Sequence, residues 1–151
     1  MSEQLPSILI ILRAVIINGP RILLIKRADS DSYEPGLWEL PGGKLSTEKD
    51  VSNALDDEIM EETGLNIVPI SRLVYCDSGI VNDYKKYKGH TYVRLVSLAK
   101  SDRDNVRLSS EHSEYKWVTF PEIFKMKEIS PFTKKALLVL EQRIKACFWK
   151  M

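Results

Sequence analysis

The chain has 151 residues, of which 44% are hydrophobic and 28% charged, and a formal net charge of +1. That length suits one domain with a proper core, and the composition is ordinary for a globular protein. A net charge so close to zero gives no broad footprint for a nucleic-acid polymer or an anionic membrane. Cys76 and Cys147 match no metal or redox spacing, so they read as free thiols in a reducing compartment. A cytoplasmic protein of one domain, 1–151, is expected.

Residues 7–18, SILIILRAVIIN, are apolar but short, and Arg13 interrupts them. They are too short to span a bilayer, and no small-residue cleavage site follows. Their mix of β-branched residues and Leu predicts a strand over 8–17, buried on both faces. Asn18-Gly19-Pro20 signals a turn, so RILLIK (21–26) is the partner strand of a hairpin, ended by Arg27. Residues 28–36, ADSDSYEPG, carry turn chemistry and form a polar loop.

The most informative stretch is 38–65, WELPGGKLSTEKDVSNALDDEIMEETGL. It opens as a strand and breaks at Pro41-Gly42-Gly43, where Pro restricts the backbone and the glycines allow close approach. A helix is expected from about Lys49 to Thr63, stopped by Gly64. At about 100° per residue, Val51, Ala54, Leu55 and Ile59 form an apolar arc. Glu58 and Glu62 project into the middle of that arc, Glu61 sits on its edge, and Met60 points the other way beside Asn53 and Asp56. A surface helix puts carboxylates on its polar face; here two point toward the body of the protein. Like charges within one turn repel, and buried carboxylates are costly unless paired or bound to a metal. A hard divalent cation such as Mg²⁺ relieves both problems, because it takes oxygen ligands and completes its shell with water and phosphate. The bland alternative is an acidic, solvated helix end.

Residues 66–75 alternate loosely and predict a strand, 76–88 a hairpin loop, and 90–99 the next strand. Tyr84 and Tyr87, set among Lys85, Lys86 and Lys88, read as a solvated hairpin tip; the alternative is a place where a base stacks and phosphates meet cations. A charged loop follows over 100–107. Residues 115–120 predict a short strand, and Pro121 a short helix with Pro at its first position. Residues 131–146 form a final helix with Ala136, Leu137, Leu140 and Ile144 on one face. His90 and His112 read as a strand-edge and a loop histidine, not as ligands.

Gly43 followed by DEIMEETGL (57–65) resembles the Nudix box of the MutT-like pyrophosphohydrolases. That pattern is a Gly, five residues, a Glu, seven residues, then Arg-Glu-apolar-x-Glu-Glu-x-Gly-apolar. Gly43, Glu58, Ile59, Glu61, Glu62, Gly64 and Leu65 match at the right spacing, after the usual lead-in WELPGGK. The softer EYKWVTFPEI run resembles the closing strand and helix of such chains. Two positions depart: the first Glu of the box falls on Lys49 and the Arg on Asp57. The signs are exchanged, so a charge-swapped pair is expected to keep the loop–helix clasp. Two residues eight positions apart lie about 12 Å apart if both are helical, so Lys49 must sit on a curled loop. Two unrelated surface substitutions are the alternative.

The resemblance implies an α/β/α sandwich with a mixed β-sheet. It also implies hydrolysis of a diphosphate linkage in a nucleoside triphosphate or related small-molecule nucleotide, with Mg²⁺, or alternatively Mn²⁺, as cofactor. In that frame Glu58, Glu61 and Glu62 are metal ligands, joined by the Gly42 carbonyl and by Glu111 on a loop. Glu58 and Glu61 are the catalytic candidates, Glu58 as base for the attacking water with Glu111 in reserve. Arg27 and Glu39 are candidate substrate contacts. Two other readings stay open: an ADP-ribose or nucleotide-sugar pyrophosphatase, and a degenerate fold that binds a nucleotide without cutting it, as Lys49 and Asp57 suggest. Many relatives are dimers, which leaves a homodimer open.

Overall fold

The computed structural model of the chain describes residues 7–46 and 48–148. The expected domain, 1–151, therefore includes residues 1–6, 47 and 149–151, which lie outside the described residues.

The architecture starts from a hairpin that does not close. Strands β1 (Ile8–Asn18) and β2 (Arg21–Arg27) pair only beside their turn, at Ile17 with Ile22 and Asn18 with Arg21. Farther out they part, and the segment WELPGGK fills the gap. Its first half, β3 (Trp38–Glu39), pairs with β2; its second half, β4 (Gly42–Lys44), pairs with β1. Between them the Ala14 amide donates to the Pro41 carbonyl at 2.9 Å. The tight break expected at Pro41-Gly42-Gly43 thus leads straight into a short strand wedged into the sheet.

Helix α1 (Val51–Thr63) follows, then β5 (Val68–Ile80), β6 (Thr91–Lys100), β7 (His112–Val118), α2 (Phe120–Lys125) and α3 (Pro131–Phe148). The seven-stranded sheet has the order β3-β2-β1-β6-β5, with β4 also on β1 and β7 on β2. β1 and β6 run parallel while the other pairs are antiparallel, so the sheet is mixed.

Strand pleating sends alternate side chains to opposite faces. Leu12, Ala14, Ile16, Leu23 and Ile25 meet Ala54, Leu55 and Ile59 of α1 on one face. Val15, Ile22, Leu24 and Val96 meet Ile123, Ala136, Leu137 and Leu140 on the other. Helices on both faces of a mixed sheet make the expected α/β/α sandwich. No helix among the described residues is long and apolar enough to cross a membrane.

Local signals set most boundaries. Asp50 caps α1 by accepting from the Asn53 amide at 3.2 Å, so the helix starts two residues later than Lys49. Gly64 ends it at φ +69°, its amide donating to the Met60 carbonyl, as a left-handed cap requires. Val51, expected in the apolar arc, opens the first turn and is exposed. β5 continues to Ile80, through five residues expected to be loop, because pairing with β6 overrides their turn chemistry. β7 begins at His112 and stops at Val118. Thr119 caps α2, which puts Pro121 at the second helical position rather than the first. In α3, Leu140 is the last residue of the expected face in the core; Ile144 is largely exposed.

Candidate active site

The wedge decides the local geometry. At Gly42 φ is +144°, and a Cβ there would lie 2.0 Å from the Leu12 carbonyl oxygen, so only glycine lets the backbone pass so close to β1. The Gly42 amide then points at α1 and donates to Glu62 Oε2 at 2.8 Å. A Cβ on Gly43 would lie 2.5 Å from Glu58 Oε2, so the missing side chain is the space the Glu58 carboxylate occupies.

α1 thus delivers two carboxylates to the wedge. Glu62 is buried and Glu58 half-buried, while Glu61 is exposed on the rim. Burial pushes the Glu62 carboxyl up to about 7, against the pull of Arg13 and of the Gly42 amide. Partial burial also raises Glu58, and the charges of Glu61 and Glu111 add to it. In both carboxyls burial outweighs the pull of nearby cations.

Behind the wedge lies a buried cluster. Glu39, only 3% exposed, was expected to touch substrate. Instead its carboxylate accepts from Arg27 Nη1 at 3.0 Å, contacts His112 Nε2 at 3.0 Å, and lies 3.5 Å from Arg13. Burial works against its ionisation, but Arg13, the His112 hydrogen bond and Arg27 hold it at about 2. Arg13 also donates to the carbonyls of Leu40 and Gly42, both at 3.2 Å, tying β1 to the wedge. The Gly42 carbonyl, expected on a metal, thus has Arg13 as its partner here. Arg27, expected to contact substrate, lines the cleft with its guanidinium engaged by Glu39 and Asp31.

Sequence reasoning missed Arg13 and read His112 as a loop histidine rather than a ligand. The signal for Arg13 was a lone cation inside an apolar strand, which demands a buried acceptor. His112 gave no comparable signal, because it starts a strand that local residues do not announce.

The start of β7 completes the cluster. One ligand atom each from Glu62, Glu111 and His112 lie within 4.8 Å of one another. His112 Nδ1 is buried without a hydrogen-bond partner among the described residues. Two carboxylates and an imidazole fit a divalent cation, and the Glu58 carboxylate lines the same cleft. Expected and unexpected residues therefore meet here: Glu58, Glu62 and Glu111 converge, His112 joins them, and Glu61 stays at the edge.

In front of this cluster the sheet face opens. Where α3 stops covering it, Leu9 and Ile11 of β1 and Tyr92 and Arg94 of β6 floor a cleft of about 630 Å³. Glu58, Glu62 and Glu111 line one end of it. Tyr84 and Tyr87 line it too, so the connector after β5 is a wall of the cleft and not a tip in solvent. Lys44 reaches that wall, donating to Tyr87 Oη at 2.6 Å. At the far end of α1, Lys49 Nζ donates to Asp57 Oδ2 at 2.9 Å, so the exchanged charges do meet.

The model of the NUDIX domain matches residues 10–140. The chain belongs to the NUDIX family. The nucleoside triphosphatase NudI of Escherichia coli O81 (strain ED1a) is 29% identical over 128 residues, 82% of this chain and 89% of that protein. A MutT-like protein of Streptomyces ambofaciens is 33% identical over 111 residues, 72% of this chain and 62% of that protein. Among solved structures, the MutT Nudix hydrolase of Burkholderia pseudomallei superposes with a TM-score of 0.73 at 26% identity, covering 89% of this chain and 98% of that one. The MutT protein of Methanosarcina mazei Go1, at 24% identity, shares the fold with a TM-score of 0.79 over 95% and 99% of the two chains. The Nudix chain described here is accordingly a MutT-like hydrolase of nucleoside diphosphate-linked substrates, in a family that generally uses divalent metal ions.

Proposed function

We propose that this Nudix hydrolase cleaves a phosphoanhydride bond of a nucleoside triphosphate, with Mg²⁺ or Mn²⁺ as cofactor. The observation that carries the reading is the convergence of Glu62, from α1, with Glu111 and His112, at the start of β7, beside a nucleotide-sized cleft that Glu58 also lines. The 29% identity to a nucleoside triphosphatase supports the triphosphate over other nucleotides.

The chemistry follows from charge. A polyphosphate repels both an acidic site and an incoming water. A bound divalent cation neutralises phosphate oxygens and acidifies water. The chain's own residues do the rest. Glu62, fixed by the Gly42 amide, and Glu111 hold the cation's place, with Glu61 available from the rim. Glu58, seated against Gly43, is the base that accepts the proton of the attacking water, and Glu111 is the reserve. Arg13, Arg27 and Glu39 are positioning residues that lock the wedge and His112. The Lys49–Asp57 pair keeps the box clasped with its signs reversed, which speaks for a working site and not a decayed one.

The test is release of pyrophosphate or phosphate from a panel of nucleoside triphosphates, ADP-ribose and nucleotide sugars with Mg²⁺. Wild-type protein should prefer triphosphates. Glu62→Gln should lose at least about 100-fold in kcat, the scale of removing one preorganised electrostatic group. Undiminished turnover in that variant would overturn the assignment.

A further inference from the structure

The ligand set that the family resemblance implies is all oxygen, yet the cluster beside the cleft also holds a nitrogen. His112 opens β7 with its side chain fully buried. One ligand atom of that ring lies within 4.8 Å of one each from Glu62 and Glu111. The hydrolytic steps give the ring no task of its own.

Its partners fix which nitrogen is available. Nε2 lies 3.0 Å from Glu39 Oε1. Glu39 is itself flanked by Arg27 at 3.0 Å and Arg13 at 3.5 Å. A carboxylate held between two guanidinium groups is ionised, and an ionised carboxylate only accepts. Nε2 is therefore the donor, and in a neutral imidazole the lone pair then sits on Nδ1. Nδ1 has no hydrogen-bond partner among the described residues, although Glu62 and Glu111 are near. A buried polar atom left without a partner is costly. A cation shared with the two carboxylates removes that cost.

The support behind the ring is already built. A carboxylate on the far nitrogen is how proteins fix the tautomer and direction of a metal-binding histidine. Here that carboxylate is buried, and Arg13 fastens the same corner by donating to the Leu40 and Gly42 carbonyls. A nitrogen ligand also changes the choice of ion. Mg²⁺ favours oxygen and sheds water reluctantly, whereas divalent transition-metal ions take imidazole more readily.

We propose that His112 Nδ1 is a direct ligand of the bound cation, oriented by Glu39 through Nε2, so that the site favours divalent transition-metal ions such as Mn²⁺ over Mg²⁺ by more than oxygen ligands alone would. The inference rests on the reading of Glu62, Glu111 and His112 as the cation site and adds the nitrogen to it. Glu39 is then a positioning residue for the ion as well as for the wedge.

Mn²⁺ is the probe, because its unpaired electrons report a coordinated nitrogen directly. Electron spin-echo modulation of the Mn²⁺-loaded full chain should show a coupled nitrogen whose frequencies change when only histidine carries the heavy isotope. His90→Gln should keep that signal. His112→Gln, which retains an amide for Glu39 but no ring nitrogen, should lose it. Calorimetric titration gives a second readout: His112→Gln should lose at least about 10-fold in Mn²⁺ affinity, the lower end of the loss from removing even an outer partner of a metal-binding histidine, and much less in Mg²⁺ affinity. Circular dichroism confirms that each variant is folded, and the isotope result in wild-type and His90→Gln proteins decides the ligand whether or not His112→Gln folds. Bound Mn²⁺ without a histidine coupling, or a ratio of Mn²⁺ to Mg²⁺ affinity unchanged in His112→Gln, would overturn the nitrogen ligand alone. Absence of Mn²⁺ binding, or an affinity unchanged in Glu62→Gln, would overturn the reading of the cluster as the cation site.

Discussion

Gly42 and Gly43 are adjacent and serve different ends. An added methyl at Gly42 meets backbone, the Leu12 carbonyl, which cannot move without opening β1. At Gly43 it meets the end of the Glu58 side chain, which can swing away. Gly42→Ala should therefore lower stability by about 3 kcal/mol, from strain at positive φ and overpacking. Gly43→Ala should fold nearly as well as wild type yet lose most of its turnover, because the Glu58 carboxylate is displaced. Urea denaturation and kcat, measured on both variants, separate the two effects. Equal losses of stability would show that Glu58 is not the atom in the way.

At the scale of elements, α1 and its clasp were the most legible part of the chain. Helical periodicity alone placed Glu58 and Glu62 inward and Glu61 at the edge, because a helix fixes the direction of each side chain from its neighbours. The exchanged signs at Lys49 and Asp57 were legible only against the pattern of the family's box, since Lys49 lies outside the helix. The partners of Glu39 were not. Arg13 and His112 lie 26 and 73 positions away along the chain, and only the wedge between β1 and β2 brings them together. Nor did local residues reveal that β5 continues to Ile80, since its turn-like composition is overruled by β6. The clasp yields a charge-reversal test. Lys49→Glu and Asp57→Arg should each slow turnover by placing like charges together, and the double variant, which restores the family's usual order of acid and base, should recover most of the loss. Steady-state rates of the four proteins decide it; additive losses would mean that the pair is incidental.

For the molecule as a whole, two buried carboxylates pull stability in opposite directions with pH. Glu62 has a folded value of about 7 against 4.5 when free, so the folded state holds an extra proton between those values. Without metal, stability should fall as pH rises through that window, by about 3 kcal/mol in all. Glu39 has a folded value of about 2, so its contribution is present above pH 4.5 and is lost as pH drops toward 2. The metal-free protein should then be most stable near pH 4.5, on the acid side of neutrality. If Glu62 binds the divalent cation as proposed, the cation displaces its proton, so Mg²⁺ should raise Tm at pH 8 far more than at pH 5. Thermal melts at both pH values, with Mg²⁺ and with a chelator, check the sign; an equal gain at both would place the cation away from Glu62.

β1 and β2 follow one another in the chain, yet a third segment holds them apart for most of their length. A hairpin that zipped shut along its whole length would leave that segment no seat, and the two glycines would face nothing. Catalytic competence is therefore not a decoration added to a finished scaffold. It depends on the same segment that fills the gap between β1 and β2.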